Sequence, residues 1–376
     1  MKATILQEKL KQGLGIVERV SGKSLTLPIL NNILITAEKS FINLSATDLE
    51  IGINWWALAK IEKEGSATIP AKILSSFIGF LPNEKIEIEE KKNNLSVTCN
   101  NRQTQILGMS TDDFPIIPKI SEGEFISISP SSFCEGLEYV FDIASQSTAR
   151  PEISGIFISF DKNKITMAST DSFRLGEKVI NFKKGTNLKK DYSLIIPQKT
   201  AREIVNIFSQ FEQDLKIYFS SNQIMVEGQM TETNHPQVQL TSRLIDGEYP
   251  NYKEIIPSKS STKLTISKGE ILNQIKGAGI FSGKTGEVKI KISKKKKQIE
   301  ILSQNSDTGE YVSQINADVQ GEDVEISFNH KFLIHGISLI KSSEIIFEFS
   351  GDSGPGVIRP VGDQSFVYIL MPIKLA

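Results

Sequence analysis

The sequence predicts an α+β protein built from three tandem domains, each with two helices and antiparallel sheets. Three observations predict it. A short strand running straight into an amphipathic helix occurs at residues 66–81, 193–211 and 324–341, with about 130 residues between copies, a domain length rather than a solenoid period. A second helical pattern opens each third of the chain, about 65 residues earlier. The segments between the helices alternate apolar and polar residues, as strands with one buried face do.

The elements follow in order. Residues 1–22 predict a helix, with Leu6, Leu10, Leu14 and Val17 on one face and Ser21-Gly22 as its stop. Strands are expected at 28–36, 41–46 and 51–58. In 66–81, Pro70 presets φ for a first helical turn, and Ile73, Leu74, Phe77, Ile78 and Leu81 make the apolar face. A hairpin, 86–90 with 95–99, turns at Lys92-Asn93-Asn94. The second third repeats this: strand, turn and helix over 127–146, then strands at 155–160, 164–169 and 175–180. Next come Pro197 with Ala201, Ile204, Val205 and Phe208, and a hairpin of 215–219 with 224–227. The last third has strand, turn and helix over 264–282 and strands at 288–292, 298–303 and 311–316. Asn329 then stands where proline stood, before Leu333, Ile337 and Ile340, and a hairpin of 345–349 with 357–361 follows. STDDFPIIP (110–118) and LIDGEYPNYKEIIP (244–257) read as extended linkers, because proline disfavours helix in the residue before it. The expected domains are 1–120, 121–255 and 256–376.

Lys+Arg of 43 against Asp+Glu of 44 gives a net charge of −1. That excludes a uniformly basic nucleic-acid binder but allows segregated charge. Cys99 and Cys134 offer neither a disulfide framework nor a zinc pattern. Residues 1–10 lack a signal-peptide core, and no apolar run approaches the ~18 residues of a membrane span. A reduced, cytoplasmic setting is expected.

Catalytic patterns are weak. GAGIFSGKT (277–285) has Ala278 where a phosphate-binding loop needs glycine, and a helix rather than a strand precedes it. His330 and His335 are five apart and face different sides of a helix, so they make no metal pair, and His235 stands apart. Ser131 and Ser132 have no plausible base. Thr47-Asp48 and Thr170-Asp171, with Ser306-Asp307 as a looser copy, recur at strand ends and read as turn-builders, with metal ligation the alternative. Lys294–Lys297 reads as a solvated hairpin tip. More informative are Lys72, Lys199 and Lys331 at equivalent helix starts, with Lys11, Arg19, Arg202 and Lys276 on polar helix faces. Cations on every equivalent helix of a chain without net positive charge point to one surface presented to a polyanion. No catalytic, metal or cofactor site is expected. A nucleotide-dependent enzyme acting through 277–285 and an α+β scaffold that binds partners but not DNA stay open.

LPIL at 27–30, ATDLE at 46–50, IPAK at 69–72, STDSFRL at 169–175, IIPQK at 195–199, LIDGEYPNY at 244–252 and YILMPIKL at 368–375 occur in this order. Together they resemble the bacterial β sliding clamps, the processivity subunits of DNA polymerase III, over essentially the whole length. The resemblance implies a head-to-tail homodimer of three-domain protomers closed into a ring around duplex DNA, without catalysis of its own. It implies DNA-facing Lys11, Lys23, Lys72, Lys199, Arg202, Lys276 and Lys331, with Lys23 beside Ser24, which replaces the family's arginine. It implies a groove for hydrophobic peptides of the replicative polymerase, the clamp loader and other DNA enzymes. The groove residues would be Ile153, Thr170, Arg174, Leu175, Pro250, Ile255, Ile369, Met371, Pro372, Ile373 and Leu375. Thr104 and Ile106 would meet Ile280 and Phe281 at the dimer seam, with Phe281 as an exposed apolar anchor. The chain departs from the family at Ser172-Phe173, where Gly-His commonly precedes Arg-Leu, and at Arg150-Pro151-Glu152 on the pocket edge.

Overall fold

A computed structural model of the chain describes residues 1–22, 26–118, 120, 124–147, 149–182, 185–186 and 188–374. The first third runs β1 (Lys2–Leu6), α1 (Gln7–Val17), β2 (Asn32–Glu38), β3 (Phe41–Thr47), β4 (Ile51–Leu58), β5 (Lys60–Lys63), β6 (Gly65–Pro70), α2 (Ala71–Gly79), β7 (Lys85–Lys91), β8 (Asn94–Cys99) and β9 (Arg102–Ile106). The second has β10 (Phe125–Ile128), α3 (Pro130–Glu138), β11 (Gly155–Phe160), β12 (Lys164–Thr170), β13 (Arg174–Asn181), β14 (Tyr192–Pro197), α4 (Gln198–Phe208), β15 (Leu215–Phe219), β16 (Gln223–Gln229) and β17 (Pro236–Arg243). The last has β18 (Thr262–Ser267), α5 (Lys268–Ile280), β19 (Glu287–Ser293), β20 (Gln298–Asn305), β21 (Gly309–Asn316), β22 (Asp318–Gly321), β23 (Val324–Asn329), α6 (His330–Leu339), β24 (Glu344–Phe349), β25 (Gly356–Pro360) and β26 (Phe366–Leu370).

The opening residues correct the sequence reading. Leu6 and Leu10 share helical spacing, but residues 2–6 form a strand, and α1 starts only at Gln7. Ala3 and Ile5 are buried between Lys2 and Thr4, and β1 pairs with both β5 and β7, so the ladder overrides the local helical pattern. Pro28–Asn31 is a 3-10 turn rather than the start of a strand. β18 enters α5 without the expected turn. α1, α2 and α5 begin with no side-chain cap, while Asn329 caps α6, its side chain accepting from Lys331 N at 2.9 Å. That explains why asparagine can replace proline at this start.

The sheets do not stop at the repeat boundaries. One order is β5-β1-β7-β8-β9, and a second is β10-β15-β16-β17-β4-β3-β2-β6. A third is β14-β11-β12-β13-β26-β25-β24-β18-β22, and the last is β21-β20-β19-β23. All pairings are antiparallel, and β17 joins β4 as β26 joins β13. The chain therefore forms two compact units that follow sheets rather than repeats. One comprises Met1–Glu135, Thr186–Lys189 and Lys199–Leu244; the other comprises Gly136–Gly185, Lys190–Gln198 and Ile245–Ala376. In the first, α1 packs on α2 and β4, with Gly13 against the buried ring of Trp55. In the second, α5 packs on α6, and the Phe347 and Phe349 rings meet at a tilt with centres 4.3 Å apart in the core.

Candidate functional site

Cations at the helix starts form the first feature. Lys72, Lys199 and Lys331 are each the second residue of their helix, and each is exposed. The first turn is the positive end of a helix dipole, so a lysine there is mildly disfavoured. Three equivalent lysines at a disfavoured position imply a use for them. Lys11, Arg202 and Lys276 are exposed on α1, α4 and α5. Lys199 differs from its counterparts, for its Nζ donates to Asp48 Oδ2. Arg19 approaches Glu203 at 3.6 Å. Lys23 lies outside the described residues.

The paired Thr-Asp motifs build matching turns. Thr47 Oγ1 donates to Ile51 O at 2.9 Å, and Asp48 Oδ1 accepts from Glu50 N and Ile51 N. Thr170 Oγ1 donates to Arg174 O at 2.7 Å, and Asp171 Oδ1 accepts from Phe173 N and Arg174 N. Leu49 and Ser172 take the same left-handed φ, 77° and 76°. Ser306-Asp307 does not copy this bonding: Asp307 N donates to Asn305 Oδ1. Among the described residues no three His, Cys, Asp or Glu side chains cluster as metal ligands.

The second turn stands among the residues expected to form a groove. Arg174 Nε donates to Asp171 Oδ2 at 2.8 Å, Nη2 donates to Asp142 O at 3.2 Å, and the guanidinium lies 4.7 Å from the Phe332 ring centre. Thr170, Leu175 and Ile369 are buried, Leu175 lying opposite Ile369 across the β13–β26 ladder. Tyr252, Val357 and Val367 complete this cluster, with Phe157, Tyr249 and Ile256 against it. Burial raises the Tyr249 and Tyr252 phenols well above their ordinary value, and Glu177, accepting from Tyr252 at 2.6 Å, adds to the second. Pro250, Ile255 and Met371 stay exposed at the rim. The tail is pinned by Met371 N to Phe173 O and Ile373 N to Ser327 O, both 2.8 Å, and Pro372 is half-buried between them. Ile153 is buried in a 3-10 turn, Pro151–Ile153. Leu375 lies outside the described residues. Phe173, which the sequence reading marked as a departure from the family, is 62% exposed beside Arg174 and faces Phe332 at 6.4 Å.

At the expected seam, the apolar surface lies partly on other residues. Ile106 is buried and Thr104 half-buried, while the neighbouring Phe80 and Leu107 are 81% and 73% exposed. Phe281 is no exposed anchor: it is half-buried and stacks with Tyr311 of β21 at 6.0 Å, and Ile280 is the exposed residue. Phe80 follows α2 in a run of apolar residues, and nothing in that run marks which one faces outward. The glycines of 277–285 serve packing: a Cβ at Gly277 would stand 2.9 Å from the Tyr311 hydroxyl, and one at Gly279 2.7 Å from His330. Helix α5, not a strand, leads into this segment, which removes the basis for a phosphate-binding loop.

Comparison with known proteins agrees with this geometry. Residues 1–118, 128–251 and 253–374 match the N-terminal, central and C-terminal domains of the DNA polymerase III beta subunit. A beta sliding clamp of Staphylococcus aureus is 27% identical over 93% of both chains, and one of Synechococcus elongatus is 25% identical over the whole of both. The crystal structure of the DNA polymerase sliding clamp of Bacillus subtilis superposes over the whole of both chains with a TM-score of 0.93 at 25% identity. With its three domains matched in order along its length, the chain belongs to the DNA polymerase III beta subunit family.

Proposed function

We propose that the protein is a DNA sliding clamp, a non-catalytic ring that encircles duplex DNA and tethers the replicative polymerase. The observation that carries this is an unfilled place in the repeat. The fourth strand of the first domain, β4, takes the last strand of the second, β17. Likewise β13 takes β26. The corresponding fourth strand of the last domain, β21, and the last strand of the first, β9, each end a sheet. Pairing β9 of one protomer with β21 of its partner repeats the internal seam and closes a head-to-tail homodimer, which also removes two open edges. Exposed Phe80 and Leu107 beside β9, with Ile280 beside β21 and Val312 within it, supply the apolar contact.

Domain boundaries near 120 and 255 fit this reading. Lys11, Lys72, Lys199, Arg202, Lys276 and Lys331 face the duplex and contact phosphates without reading sequence. The groove around Leu175, Ile369 and Met371 takes short hydrophobic peptides of the polymerase, the clamp loader and other DNA enzymes. The setting is cytoplasmic; among the described residues no helix is long and apolar enough to cross a membrane.

The test is topological. The protein is loaded on a nicked circular plasmid by a compatible clamp loader with ATP, the complex is isolated, and the circle is then cut once. Retention before the cut and rapid loss after it supports encirclement. Loss governed only by salt, indifferent to the cut, overturns it.

A further inference from the structure

The internal repeat exposes a second site, in the unit that lacks the peptide groove. Asn32 pairs with Pro70 as Gly155 pairs with Pro197, so Leu34 corresponds to Phe157. By the same registers Ser45 corresponds to Ala168, and Asn54 to Glu177. The linkers that cover these sheets differ in length. Phe114-Pro115 is followed at once by Ile116-Ile117-Pro118, whereas Tyr249-Pro250 is followed by Asn251-Tyr252-Lys253-Glu254 before Ile255-Ile256-Pro257. Tyr252 thus belongs to an insertion. Its ring is buried over Ala168, and its hydroxyl donates to Glu177.

Where the first unit has no such tyrosine, it has an open cavity of about 460 Å³. Leu34, Phe41, Trp56, Phe114, Ile116 and His235 are among the residues that line it. Phe41 and His235 are stacked at 4.2 Å, and Trp56 meets His235 edge-on at 5.5 Å. The floor is polar and buried. Ser45 Oγ lies 2.8 Å from Asn43 Oδ1 and 2.7 Å from Asn54 Oδ1. Asn43 is oriented by its own donation to Trp55 O. One hydroxyl proton cannot serve both amide oxygens, so one of them is open to a further donor. Asn54 is the counterpart of the glutamate that accepts from Tyr252.

We propose that this cavity binds a tyrosine side chain carried on a proline-bearing turn of a partner protein. The ring takes the place that Tyr252 fills in the other unit, and its hydroxyl donates to Asn54 Oδ1. Ile116, 93% exposed at the mouth, offers apolar surface to the residues flanking that tyrosine. The form of the carrier follows from the internal precedent, in which Tyr252 follows Pro250 and opens a 3-10 turn, Tyr252–Ile255.

The test uses the full chain and the capped peptide Glu-Tyr-Pro-Asn-Tyr-Lys, copied from residues 248–253, with an analogue whose second tyrosine is phenylalanine. Binding is followed by the indole N–H resonance of Trp56. The tyrosine peptide should shift it, and the phenylalanine analogue should bind about five- to tenfold more weakly, the effect of one hydrogen bond. Asn54→Ala should abolish that preference, and Asn54→Asp should keep it. No shift at millimolar peptide, equal binding of both peptides, or shifts confined to the residues around Leu175 would each overturn the proposal. If Asn54→Ala does not fold, the tyrosine-to-phenylalanine ratio on the unaltered chain still decides. None of these readouts depends on DNA encirclement.

Discussion

Arg174 Nη1 lies 3.0 Å from Nδ1 of His335. A guanidinium can only donate, so this nitrogen accepts and the imidazole is neutral. Burial first, and then the Arg174 cation, hold His335 below its ordinary value of 6.5. As pH falls through about 6.5, the unfolded chain takes up a proton that the folded one refuses. The stabilisation is therefore full above that pH and declines as pH drops, until the lower folded pKa is reached. Once the intrinsic slowing of amide exchange with acidity is divided out, the protection of α6 and β13 amides should fall between pH 7.5 and 5.5. His335→Gln, which keeps an acceptor and loses the titration, should remove this part of the pH dependence. An unchanged pH response in the variant would refute the assignment.

Ser172 holds φ at 76°, a conformation that side chains disfavour and glycine takes freely. Its N–H still reaches Thr170 Oγ1 at 3.1 Å, so the turn is retained despite that strain. Ser172→Gly should stabilise the protein by about 0.5–1 kcal/mol in urea unfolding. Ser172→Ala, with a Cβ and no hydroxyl, should give no such gain.

Lys72 and Lys199 occupy equivalent helix positions with different surroundings. Lys199 is neutralised by Asp48, whereas among the described residues Lys72 has no carboxylate within ion-pair distance. Lys72→Ala should lower the slope of log DNA affinity against log salt by up to about 0.9 for the lost phosphate contact. Lys199→Ala should lower it less. Equal slopes would mean that the Asp48 pair opens on DNA.

Phe80 and Ile280 give the seam its test. An aspartate at either position would bury a charge against apolar surface. Phe80→Asp or Ile280→Asp should convert dimer to monomer in sedimentation equilibrium, with the thermal stability of the protomer little changed. Ile106→Ala should instead lower stability by roughly 2–5 kcal/mol, because Ile106 belongs to its own core.

Much of this was legible in the chain. The strand-into-helix beat placed α2, α4 and α6, and the recurrent Thr-Asp pairs announced turns that the hydrogen bonds of Asp48 and Asp171 bear out. What escaped depended on distant partners. β1 looked helical because Leu6 and Leu10 share a spacing, and only β5 and β7 make it a strand. β9 and β17 carry too many polar residues to announce themselves, and they are strands because of the neighbours they meet. The Lys199–Asp48 pair joins residues 151 apart, which no local pattern encodes. The lysine stripe could be read, but not which lysine was already neutralised.

The seam between β4 and β17 also bears on how the protein is made. β4 is complete at Leu58, but its neighbour is not finished until Arg243. At a synthesis rate of about 5–20 residues per second, the nascent chain carries a bare sheet edge for about ten to forty seconds. β13, complete at Asn181, waits in the same way for β26, which begins only at Phe366. A product truncated by stalling before residue 236 would keep its β4 edge permanently open. It would be a template for aggregation rather than a smaller working protein.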